Sequence, residues 1–140
     1  MWRKISALGC AVAMLFLCGC AGNHVYDSDE AIISRADGMN SLLSTETSNN
    51  RIYALEAKKF TGMRTVVTYT TQDSLTFDFS LSIAEGRAKL VLVDAEKVTV
   101  VIDHNFEGRL TVEGLNGSYK LKIVGDAAKL VFEFRKTTSG

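Results

Sequence analysis

The chain has 140 residues and not one proline. Its turns must therefore rest on Gly, Asn and Asp, the other residues that tolerate turn backbones. Cysteine is confined to Cys10, Cys18 and Cys20. Any domain beyond them has no disulfide and no thiolate metal ligand, and must be held by packing alone. Tryptophan occurs once, at Trp2, so the residue best suited to stacking on a sugar is missing from the body of the chain. Two histidines, His24 and His104, leave little for acid–base chemistry or zinc. There is no Gly-x-Ser-x-Gly elbow and no phosphate-binding glycine loop. An excess of one charge is also lacking, since the formal net charge is zero. Nucleic-acid binders usually carry a basic patch, and this net charge gives no electrostatic case for one.

What is present is alternation. Leu75, Phe77, Phe79, Leu81 and Ile83 occupy every second position, with Thr76, Asp78, Ser80, Ser82 and Ala84 between them. Successive side chains of a strand point to opposite faces, so this spacing builds one apolar and one polar face. A helix, with its period near 3.6, could not. The pattern returns in Val98–Ile102, in Leu110 and Val112, in Tyr119, Leu121 and Ile123, and in Leu130, Phe132 and Phe134. Earlier strands are expected over 52–59 and 63–70. The segment 88–93 is apolar on both faces after Lys89, as a central covered strand would be. Turns are expected at 60–62, 85–86, 94–96, 115–117 and 125–126, and a polar loop at 103–108. About eight strands at this spacing predict an all-β fold, an antiparallel β-sandwich over 51–137.

The N-terminus is built differently. Arg3 and Lys4 precede a largely apolar, uncharged run over 5–17, too short to span a bilayer, which needs about 20 apolar residues. Removal of that leader would leave 14 basic and 16 acidic residues. Leu17-Cys18-Gly19-Cys20 resembles the lipobox of bacterial lipoproteins, with a leucine three residues before the cysteine and a glycine just before it. That resemblance implies a signal peptide over 1–19, recognised through Leu17 and Gly19. It also implies a diacylglyceryl group, with further acylation such as palmitate, on Cys20. The protein would then be held on the cell membrane or outer membrane, facing away from the cytoplasm. Each buried methylene is worth about 0.8 kcal/mol, and two or three chains would make detachment negligible.

Residues 20–50 read as a polar tether. Asp27 and Glu30 have capping-box spacing, and Ile32, Ala36, Met39 and Leu43 share one helical face. A short helix is therefore expected over 30–43, lying on the domain or within the tether, with a linker at 44–50. A second resemblance covers 75–134: Gly117–Gly125 and Ala128–Phe134 look like the closing strands of small secreted bacterial β-sandwich modules, such as pre-peptidase C-terminal domains. It implies a jelly-roll-like sandwich with a non-catalytic accessory role.

The best polar constellation is Asp103-His104-Asn105, followed by Phe106. Its oxygens could serve a cation or its imidazole a proton, but Asp and Asn are also ordinary turn residues. No second cluster supplies the six to eight oxygens that calcium takes. A sugar site would rest on Phe106 or Tyr69. Lys120, Lys122, Lys129 and Arg135 are expected to form an outward basic stripe that guards a strand edge. No catalytic residues and no cofactor or metal are assigned. The reading is a membrane-anchored, non-enzymatic binding or interaction module of the bacterial envelope, with an envelope protein or polysaccharide as partner. The alternative is a carbohydrate- or calcium-binding accessory sandwich.

Overall fold

The computed structural model describes residues 24–136. Two short helices, α1 (His24–Asp27) and α2 (Asp29–Ser34), lead into seven strands. These are β1 (Gly38–Asn40), β2 (Leu43–Ser48), β3 (Ile52–Thr71), β4 (Leu75–Val93), β5 (Val98–Ile102), β6 (Phe106–Val112) and β7 (Gly117–Arg135). All pairings are antiparallel, and β7 lies between β3 and β4. The expected all-β antiparallel sandwich is present.

Three of the expected turns are bends inside continuous strands, which merges the eight expected strands into five, and β1 and β2 add two more. β3, β4 and β7 run 20, 19 and 19 residues. Each crosses from one layer of the sandwich to the other. The first layer holds β2, β6, the N-terminal halves of β3 and β4 and the C-terminal half of β7. The second holds β1, β5 and the remaining halves. The crossings fall together on one fold line. Register slips occur between Ala57 and Gly62 in β3 and between Ile83 and Arg87 in β4. Positive φ angles cluster there, at Lys59, Gly62, Gly86 and Ala127. At Gly86 (φ +71) a Cβ would sit 2.1 Å from the Ala127 carbonyl oxygen, so the two bent strands touch through bare backbone. Gly62 (φ +128) meets the Gly38 oxygen in the same way at 2.0 Å.

Each bulge also flips the inward set, because one added residue exchanges the two faces of a strand. In β4 the odd residues Phe77, Phe79 and Leu81 face inward before the fold line, and the even residues Ala88, Leu90 and Leu92 after it. β7 does the reverse, with Leu121 and Ile123 giving way to Leu130, Phe132 and Phe134. The inner faces close into one core. Phe79 packs on Phe106 (centroids 5.0 Å apart) and on Phe132 (6.1 Å), and Tyr69 of the second layer meets Phe77 of the first at 5.8 Å.

One open side of the sandwich is closed by charge. Glu46, on the inward side of β2, accepts from Arg64 Nε (3.0 Å) and Nη2 (2.6 Å) and from the Tyr53 hydroxyl. Arg64 belongs to the second layer and Glu46 to the first, so the pair ties the two together. The bond from Arg64, supported by that from Tyr53, holds the Glu46 carboxyl below its ordinary range. Burial, followed by the carboxylate, pushes the Tyr53 hydroxyl up.

The N-terminal expectations need three corrections. The helix stops at Ser34, so Met39 and Leu43 lie in strands rather than on a helical face. Its cap is Ser28, whose hydroxyl accepts from the Ala31 N–H at 3.2 Å, one position after the expected Asp27. The expected linker at 44–50 is mostly β2, laddered to β3 from Leu43↔Lys58 to Ser48↔Tyr53. An exposed polar stretch with Thr at alternate positions suits an edge strand as well as a linker; the β3 edge decides. Asn49 then turns the hairpin, its side-chain oxygen accepting from the Arg51 and Ile52 N–H groups at 2.7 and 2.9 Å.

Candidate functional site

The Asp103–Phe106 constellation comes apart in three dimensions. Asp103 and His104 are exposed and touch mainly each other, Nδ1 to Oδ1 at 3.2 Å. Asn105, also exposed, turns back to β4 and accepts from the Ile83 N–H at 2.7 Å, which satisfies a donor freed where β4 begins to bulge. Phe106 is half-buried against Phe79 and opens β6, so the expected polar loop shrinks to Asp103–Asn105. Asn105 and Phe106 are spent on structure. His104 has no cleft and no orienting group beyond its exposed neighbour. Among the described residues no group of three or more His, Cys, Asp or Glu is placed to hold a metal ion.

The sugar-site aromatics are also occupied. No aromatic side chain among the described residues is exposed. Tyr69 is half-buried against Phe77, and burial pushes its hydroxyl up to about 12. The expected basic stripe is broken. Lys129 and Arg135 are exposed, but Lys122 is buried beneath α2, where its ammonium donates to the Ile32 carbonyl at 2.9 Å. That burial pulls its pKa down.

Lys122 lies on the outer face of the second layer, which is sealed. Val25, Tyr26, Ala31 and Ile32 from the two helices cover Met63, Val91, Val93 and Val124. This explains why 88–93 is apolar on both faces: Leu90 and Leu92 point into the sandwich, Val91 and Val93 into the helices. Arg87 pins the cover, paired with Asp27 at 3.0 Å and Asp126 at 2.6 Å, its guanidinium 4.2 Å from the centre of the Tyr26 ring.

Among the described residues, the outer face of the first layer has no such cover. The register places Thr45, Glu56, Val131 and Ser82 in one row across β2, β3, β7 and β4. The neighbouring row holds Glu133, Ser80 and Glu107; beyond it, Asp78 lies between Arg109 (3.7 Å) and Arg135 (3.6 Å). Toward the fold line the small side chains of Ser82 and Ala84 leave an open groove of about 300 Å³, flanked by Leu43, Lys58, Lys129 and Val131. Leu43 is 64% exposed and Val131 50%. A groove so lined can hold an extended chain by contact with the two aliphatic side chains and by hydrogen bonds from Ser82, Thr45, Glu56 and the lysines. It has no nucleophile set beside a base.

Sequence reasoning missed this groove. The spacing of Leu43 from Ile32, Ala36 and Met39 points to a helical face, whereas the residue lies in β2. Val131 did carry a signal: it is the one large apolar residue at an outward position between Lys129 and Arg135. Leu17, Gly19 and Cys20 lie outside the described residues.

No family model and no curated protein matches the chain. Similar solved structures include a family 29 carbohydrate-binding module, 11% identical over 74% of this chain and 85% of that one, with a TM-score of 0.38. A cupin domain from Bordetella pertussis is 12% identical over 75% of this chain and 98% of that one (TM-score 0.31). The Drosophila melanogaster CENP-C cupin domain is 8% identical over 76% and 89% (TM-score 0.27). None of the three overlaps closely enough to transfer a ligand or a site.

Proposed function

We propose that this protein is a lipid-anchored, non-enzymatic interaction module of a bacterial envelope. It is held by Cys20 outside the cytoplasm and engages an envelope polymer or protein through the open face of its first layer. One observation carries the reading: of two outer faces built on the same three strands, one is sealed by helices and the other is uncovered among the described residues, with a groove and two exposed aliphatic side chains. The leader and the Leu17-Cys18-Gly19-Cys20 motif support the anchor.

A polysaccharide partner would be held by hydrogen bonds along the groove, since no described aromatic ring is exposed for stacking. Two measurements test the function. Cys20→Ala should abolish metabolic labelling by a fatty acid and release the exported protein from membranes; a variant still labelled would move the anchor to another cysteine. A photo-crosslinking side chain at Ser82 in the anchored protein should give a discrete adduct that Val131→Arg removes. An adduct pattern unchanged by Val131→Arg would take the groove out of the interface.

A further inference from the structure

The sandwich has two unlike ends, and the chain enters at one of them. The fold-line end carries the three bends and two short crossings between layers. Ser41 and Leu42 join β1 to β2, and Asp103–Asn105 join β5 to β6. The opposite end carries the turn at Asn49–Arg51, the turn at Asp94–Lys97 and the connections at 72–74 and 113–116. About nine residues of strand separate the two ends in β4, roughly 30 Å.

α1 lies at the fold-line end, because Asp27 is held there by Arg87. From Asp27 the chain climbs away from the fold line along α2, until Ile33 lies beside Thr68, Val93 and Lys120. Only Ala21, Gly22 and Asn23 separate Cys20 from His24. Four residue steps reach at most about 14 Å, half the height of the sandwich. Most of the expected polar tether from residue 24 onward is taken up by helices and strands. The same end carries Leu42, 71% exposed, next to Leu43.

We infer that the fold-line end of the sandwich rests on the lipid bilayer, with Leu42 and Leu43 entering the headgroup region and the groove opening beside the membrane surface. The inference rests on lipidation of Cys20. Charge does not drive the contact: Lys58, Lys59, Arg87 and Lys129 at this end are matched in number by Asp27, Glu85, Asp103 and Asp126. The lipid supplies the attachment, and its short lead sets the orientation.

The test uses the full lipidated chain in phosphatidylethanolamine–phosphatidylglycerol vesicles with brominated acyl chains. Trp2 is the only tryptophan and leaves with the leader, so Leu42→Trp and Asn50→Trp each report from one end. Both positions are exposed. Fluorescence in Leu42→Trp should fall about twofold or more and shift to the blue, as for a side chain in the headgroup boundary, while Asn50→Trp stays unquenched. In the wild-type chain, acetylation of Lys58, Lys59 and Lys129 should slow on vesicles while that of Lys97 and Lys136 does not. Mass spectrometry of the same sample separates the two claims. A chain without the lipid mass on Cys20 overturns the anchor and this orientation with it. A lipidated chain that is unquenched in Leu42→Trp, or equally quenched in Asn50→Trp, overturns the orientation alone.

Discussion

The two outer faces of this sandwich are made by the same strands, yet they have opposite chemistry. In the second layer, β4 and β7 turn Val91, Val93 and Val124 outward, and two short helices bury them. In the first layer, the outward positions of the same strands include Asp78, Ser80, Ser82 and Glu133, and no other element among the described residues covers them. A strand of two-faced hydrophobicity needs a cover; a strand of clean alternation needs none. The difference shows that the helices are part of the domain rather than a tether, and it leaves one face free for contact.

Four perturbations separate the faces, the clasp and the shared core. The largest effect is expected in the core between the layers. Phe79→Ala should cost about 3–5 kcal/mol, since Phe79 is 3% exposed and packs on two rings. A denaturant melt showing less than about 1 kcal/mol would mean the layers do not share that core. Ile32→Ala, under the sealed face, should cost about 2–5 kcal/mol, because Ile32 is fully buried. If it behaves as a surface change in the same melt, the helices are not a cover.

Acid should loosen the clasp at the open side. The folded pKa of Glu46 lies below its ordinary 4.5, chiefly through Arg64. Its contribution is therefore complete above that ordinary value and is lost as pH falls through the lower folded value. Wild type should lose more stability than Glu46→Gln between pH 6 and pH 3, about the range in which carboxylates protonate; parallel losses would remove Glu46 from the clasp. The smallest effect belongs to the open face. Val131→Ser should change stability by no more than about 0.5 kcal/mol, and a larger loss in a thermal melt would reveal a hidden contact there.

Much of this was legible in the residues. The alternation from Leu75 to Ile83 assigned the inward set, and those residues do face the core. The two-faced segment 88–93 announced a covered strand. The bends were not legible. Gly62, Gly86 and Gly125 carry turn chemistry, but whether a chain turns back or bends onward depends on whether its neighbours bend at the same level. Lys122 reads as an outward lysine by parity, and it is outward; only α2 makes it buried. His104 and Asn105 are adjacent in sequence, yet the first faces water and the second completes a bulge in another strand.

The sequence by itself determined that the body is β, which side chains fill its interior, and that the absence of cysteine beyond residue 20 leaves packing to hold it. Those properties are local: they depend on a period of two and on residue type. The tertiary structure alone decided that three strands cross both layers, that the N-terminal segment closes one face, and that the other stays open. These depend on pairings between residues far apart in the chain, and no local period encodes which distant edge a strand will find.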